Sequence, residues 1–175
     1  PFYKFIVIAI CLSLMIWSVA LDASGDLDAR FSGDGKINQS FGASFQKGYD
    51  LATQPDGKVV VVGIKYEIFN NASIVVARYN LNGYLDKTFS GDGRQVVSIN
   101  NTFNDEASAV AIQADGKIVI GGKACGGSGC DAFLVRLNPN GSLDTSFDRD
   151  GIVKTDIGSG LQNTCTDIAL QADKI

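Results

Sequence analysis

Proton transfer and metal binding both need titratable groups brought together, and this chain has no histidine to offer. That absence removes His-based triads, the commonest proton shuttle and the commonest metal ligand. Carboxylates remain, but several of them recur at a fixed spacing. Asp28, Asp86 and Asp144 each sit in a Gly-x-Leu-Asp-x-x-Phe stretch. A site rarely needs identical parts in every unit, so these read as turn acceptors of backbone hydrogen bonds. Glu67, Asp105 and Glu106 appear once and off the pattern. They are the candidates for acid–base work in an extracellular hydrolase or lyase. Their spacing does not bring them together, and no catalytic residue is assigned.

Metal chemistry meets a similar obstacle. Asn80-x-Asn82-Gly83 and Asn138-x-Asn140-Gly141 hold the middle of a calcium loop. Its first ligand position, however, falls on Arg78 or Arg136, and its bidentate position on Phe89 or Phe147. The EF-hand reading fails, and only a looser site at Asp148-Arg149-Asp150 is left; no metal or cofactor is assigned. Three cysteines lie beyond the N-terminal segment, too few for a zinc site without histidine. Disulfide or free thiol is the better reading. Cys125 and Cys130 flank Gly126-Gly127-Ser128-Gly129, a loop able to fold back, and a disulfide is expected between them. Cys165 is then left over. Sequons at Asn38, Asn71, Asn100 and Asn140 arise easily by chance in such a composition.

The elements that position these groups repeat. The first glycine of Gly-x-Leu-Asp-x-x-Phe moves from 25 to 83 to 141, a step of 58 residues each time. A companion Gln-x-Asp-Gly-Lys stretch occurs at 54–58 and 113–117, and again without its glycine at 171–174. A fixed period of this size signals a solenoid, propeller or array. Within the unit 83–140, strands are expected at 94–99, 107–113, 117–121 and 131–137, joined by tight turns. The preceding unit repeats them at 36–37, 50–53, 58–63 and 73–79. Four antiparallel strands per unit describe one blade of a β-propeller. Val59-Val60-Val61-Val62 is apolar on both faces, as a strand sandwiched between blades would be. Phe31, Phe89 and Phe147 are expected to plug between blades, and Arg78 and Arg136 to pair with a recurring aspartate.

On Leu143, Asp144, Phe147, Asp150 and Gly151, on Gln113, Asp115, Gly116 and Lys117, and on Arg136, Leu137, Asn138 and Gly141, the chain resembles the bacterial delta-60 repeat family. The resemblance covers most of residues 25–175 and implies β-propeller blades in secreted or surface proteins, with no general activity. Where the family carries glycine after the phenylalanine, this chain has Ser32, Ser90 and Asp148, which puts the local turn in question.

Lys4, an almost wholly apolar 5–20 and small residues at Ser18 and Ala20 describe a secretory signal peptide cleaved after Ala20. Sixteen residues fall short of the roughly 20 that span a bilayer, so no membrane span is expected after cleavage. The start at Pro1 suggests a fragment. The expected organisation is a signal peptide at 1–20, blades at 21–82 and 83–140, and a truncated blade at 141–175. The fold class is thus all-β, an incomplete repeat array. A net charge of −4 without basic runs makes nucleic acid an unsuited partner. Loops that differ between units are expected to carry binding, with Tyr66, Phe69 and Phe103 as aromatic anchors for an unknown protein or glycan. The leading reading is a secreted or cell-surface, non-catalytic binding or scaffold module. An extracellular enzyme and a gene fragment without function are the alternatives.

Overall fold

The computed structural model describes residues 26–42, 45–66, 72–99, 104–126, 129–158 and 162–171. Among them are eight strands and no helix: β1 (Phe45–Thr53), β2 (Val59–Tyr66), β3 (Ala72–Tyr79), β4 (Arg94–Val97), β5 (Asp105–Ile112), β6 (Ile118–Gly126), β7 (Gly129–Leu137) and β8 (Ile152–Thr155). They form two four-stranded sheets, ordered β1-β2-β3-β4 and β5-β6-β7-β8, with every neighbouring pair antiparallel.

Turn chemistry sets this pairing. In the β1–β2 hairpin the Gln54 amide donates to the Lys58 carbonyl (2.8 Å) and the Gly57 amide to the Gln54 carbonyl (2.9 Å). Gln113, Lys117 and Gly116 repeat both bonds at 2.8 and 2.9 Å in the β5–β6 hairpin. The Gly-x-Leu-Asp-x-x-Phe stretch is the connection between the third and fourth strands. There the Asp86 amide donates to the Arg78 carbonyl (2.8 Å), Gly93 to Phe89 (2.7 Å) and Arg78 to Gly93 (3.0 Å), so the chain doubles back beside β3. Ser32, Ser90 and Asp148 take φ of 56°, 53° and 48°. They keep the left-handed conformation that glycine would adopt more readily, so the turn survives the substitution.

The sheets are therefore out of phase with the sequence units. Residues 94–99 were expected to share a sheet with 107–137, yet β4 pairs with β3, from Ile74↔Val97 to Ala77↔Arg94. The tight return just described leaves the chain alongside β3 and nowhere near β5. The strand expected at 36–37 is not formed. Lys36 and Ile37 match Arg94 and Gln95 at the repeat step, a fourth-strand position, and no third strand lies beside them among the described residues.

Both faces of the first sheet are apolar, as the run of valines required. Val60, Val62, Ile74 and Val76 join Ile118, Ile120, Val135 and Leu137 of the second sheet in one core. At roughly 1.5–3 kcal/mol per fully buried aliphatic side chain, this inter-sheet face dominates the stability. One position tolerates no side chain. A Cβ on Gly122 would stand 1.9 Å from the Glu106 carbonyl oxygen, where β5 bulges between Ala107 and Ala109. Gly63 faces the same bulge in the first sheet.

Recurring side chains lock one unit to the next. Arg78 Nε lies 2.8 Å from Asp86 Oδ2, its Nη2 donates to Thr88 Oγ1 (3.1 Å), and its Nη1 donates to the Pro139 carbonyl. Lys58 Nζ reaches the same carboxylate at 3.2 Å. Phe89, fully buried, packs beneath Gly141, where an added Cβ would meet its ring at 2.9 Å. The Ser90 amide donates to the Asn140 carbonyl (2.8 Å), just as Ser32 donates to Asn82 (2.8 Å) one repeat earlier. Arg136 pairs with Asp144 at 2.7 Å and Lys117 joins at 3.2 Å. These arginines thus do pair with the aspartates of the motif.

Candidate binding surface

Framework positions recur between units; a site should not. Aligning the two hairpins on Lys58 and Lys117 sets Lys47 against Glu106, Tyr49 against Ser108, Ile64 against Lys123 and Tyr66 against Cys125. The structure gathers several of these unlike residues. Tyr66, the last residue of β2, stands in the field of Glu106 near the start of β5. Glu106 Oε2 also lies 3.0 Å from Lys123 Nζ on β6, its direct cross-strand neighbour. Tyr49, the residue left over in the β1 bulge, stands in the field of Glu106 and Lys123. Lys47 Nζ sits 4.4 Å from the centre of the Tyr49 ring, a cation–π contact.

The electrostatics follow from this placement. Burial is the first cause that raises the Tyr66 hydroxyl above its ordinary pKa, and the nearby Glu106 carboxylate is the second. Tyr49 is raised by the same two causes in the same order. Both phenols therefore stay protonated and keep a donor to offer at neutral pH. Tyr49 is 37% exposed and Tyr66 half-buried, so both side chains keep some surface for a partner. The patch can stack, donate through two phenols and two ammonium groups, and accept through one carboxylate.

Of the aromatic anchors expected, Tyr66 belongs to this patch, but as a strand residue rather than a loop residue. The β2–β3 ladder runs on to Tyr66↔Ala72, which carries the strand past the expected end at 63. Phe69 and Phe103 lie outside the described residues, as does Glu67. The two adjacent carboxylates part company. Asp105 is buried and accepts from the Ile99 amide at 2.7 Å, while Glu106 is half-exposed, as alternation along a strand requires. Tyr49 was not anticipated. Comparing strands position by position between units, and not only loops, exposes it.

Cys125 and Cys130 are disulfide-bonded. They are cross-strand partners in the β6–β7 ladder, not loop residues, because pairing continues to Gly126↔Gly129. Cys165 is a free, half-buried thiol whose amide donates to the Gly122 carbonyl (3.1 Å). No group of three or more Cys, Asp or Glu residues that could hold a metal occurs among the described residues. No described helix is long and apolar enough to cross a membrane. A cleft of about 460 Å³ lies on the outer face of the first sheet, lined by Val59, Val61, Ala77 and Tyr79 below and by Phe31 and Phe41 above, and it reaches Lys47 of the patch. At the repeat step that face matches the one the second sheet buries, so its apolar lining answers to sheet packing.

Comparison with known proteins bears on this architecture. Residues 54–89 and 113–147 match the family described as domain of unknown function (DUF5122) beta-propeller. Both segments are β-propeller repeats. Each begins in the first hairpin turn of a sheet and ends at the motif phenylalanine, Phe89 or Phe147, so the match spans the recurring Lys, Arg, Asp and Phe of the lock. The finding agrees with the resemblance to delta-60 repeats, and the two sheets are blades of this propeller type. No curated protein and no solved structure matches the chain. The repeat identity covers the framework; it leaves out Lys47, Tyr49 and Glu106.

Proposed function

We propose that this propeller-repeat protein is a secreted or cell-surface binding module, and that its partner, a protein or glycan, contacts Tyr49, Tyr66, Glu106 and Lys123. The approach of Tyr66 to Glu106 carries the reading. It joins two blades through residues that have no counterpart in the neighbouring unit, whereas everything that recurs is engaged in the framework. Export follows from the basic and apolar character of 1–20. The orientation of Asp105 and Glu106 favours binding over catalysis, since a glycoside hydrolase needs two carboxylates facing one bond. The test is a glycan and protein array probed with the exported chain. Tyr66→Ala and Tyr49→Ala should weaken a hit at least tenfold while moving Tm by no more than a few degrees. Unfolding of both variants, or unchanged binding by both, would overturn it.

A further inference from the structure

The disulfide is particular to the second blade. At the repeat positions of Cys125 and Cys130 the first blade has Tyr66 and Ala72, and that pair closes the β2–β3 ladder with no covalent link. The blade fold therefore does not require the bond. Behind it, β6 and β7 are paired from Ile118↔Leu137 to Ala124↔Asp131, a ladder that keeps the two sulfur-bearing residues opposite each other. The two sulfurs differ in their surroundings. Cys125 is half-exposed, whereas Cys130 is 4% exposed. Beside Cys130 runs the start of the next unit: the Asn163 amide donates to the Cys130 carbonyl (2.9 Å), and Gln162 is bridged to Cys130 in parallel register. Asn163 is itself buried, its Nδ2 donating to Asp156 Oδ1 (3.3 Å). This anchorage sets Gln162 Oε1 3.0 Å from Cys130 Sγ. A disulfide sulfur has no hydrogen to give that oxygen; a thiol has one.

We propose that Cys125 and Cys130 form a reversible redox pair that exchanges with a small external thiol, with Gln162 as the positioning residue that favours the reduced form. A thiolate of the small molecule attacks the half-exposed Cys125 sulfur. The Cys125–Cys130 bond breaks, a mixed disulfide forms at Cys125, and Cys130 leaves as a thiolate that takes a proton from water. Its S–H then donates to Gln162 Oε1. A second small thiolate attacks the small-molecule sulfur of the mixed disulfide and releases Cys125, which is protonated in turn. The protein disulfide has gained two electrons and two protons, and two small thiols have become one small disulfide. Exposure decides which sulfur is attacked. The ladder makes the step reversible, because both thiols stay cross-strand when the bond is open.

Equilibrating the full chain in glutathione buffers of graded composition tests this, with Cys165→Ser as the background so that only this pair titrates. Alkylation after acid quenching, read by peptide mass, gives the reduced fraction. A single transition is expected, identical from the oxidised and the reduced side, with the far-ultraviolet circular dichroism unchanged across it. Gln162→Ala should need a buffer about fivefold more reducing for half reduction, the effect of one lost hydrogen bond. Cys130→Ser should collect a glutathione adduct at Cys125, while Cys125→Ser should leave the buried Cys130 without one. Cys130→Ala, which restores the residue of the first blade, replaces Cys130→Ser if that variant fails to fold. Unfolding on reduction, an unshifted midpoint in Gln162→Ala, or equal adducts at the two cysteines would each overturn the proposal.

Discussion

Phe89 and Phe147 occupy the same repeat position, yet only Phe89 has the next turn folded over it. Truncating each to alanine therefore measures what that turn adds. Phe89 is 0% exposed, lies under Gly141, and has the Arg78 guanidinium 4.8 Å from its ring centre. Phe89→Ala should cost about 3–5 kcal/mol through lost transfer energy and a residual cavity. Phe147 keeps its own arginine, 4.5 Å from the ring centre, but is only half-buried. Roughly half the transfer term and little cavity remain, so Phe147→Ala should cost about 1–2 kcal/mol. Urea unfolding of dilute protein, followed by far-ultraviolet circular dichroism, reads both. With a slope of about 2 kcal/mol per molar, the midpoints should fall by about 2 M and about 0.7 M respectively. Phe89→Leu serves if Phe89→Ala does not fold. Equal losses at the two positions would refute the assignment of the lock, because burial under the following turn would then contribute nothing.

Three other outcomes are expected. Asp86 is pushed up by burial, but hydrogen bonds from Thr88 and Lys58 and the charge of Arg78 outweigh this and hold its pKa at about 2; Asp144 is lowered too, chiefly by the Ser146 hydroxyl. Because folded values lie below the ordinary 3.8, their stabilisation is complete above that pH and is lost as pH falls towards about 2; acid titration of Asp86→Asn should show a shallower loss. Arg149 takes φ of 73° where its sister positions are Gly33 and Gly91, so Arg149→Gly should raise stability by up to about 1 kcal/mol, and a lowered Tm would contradict the strain. Non-reducing peptide mapping should find Cys125 joined to Cys130 and Cys165 alkylatable; the short loop limits the stability lost on reduction to about 2 kcal/mol.

What could be read from the residues was whatever backbone conformation demands locally. Gly57, Gly83, Gly116 and Gly141 all take positive φ, and glycine or asparagine at such points announces a turn in any sequence. The burial of Phe89 and the pairing of Arg78 with Asp86 were legible because repetition marks what every blade requires. Register was not. Nothing in Arg94-Gln95-Val96-Val97 says whether it pairs backwards with β3 or forwards with β5; the ladder of hydrogen bonds around Asp86 and Gly93 decides that. The candidate surface was half legible for the same reason. Tyr66 and Glu106 stood out singly, but their meeting depends on how the second blade stacks on the first, a long-range fact. Tyr49 was hidden because its side chain owes its position to the β1 bulge.

The offset between sequence unit and sheet gives folding a direction. As the chain leaves the ribosome, β1, β2 and β3 can pair as soon as Tyr79 emerges, but that sheet stays one strand short until Arg94–Val97 follows. The lock over Phe89 waits longer, until Pro139, Asn140 and Gly141 have been made. Each unit is thus finished by its successor, and the last one synthesised is always the least secured. Chaperone capture and proteolytic trimming during synthesis should therefore concentrate at the growing end, while the blades behind it are already closed.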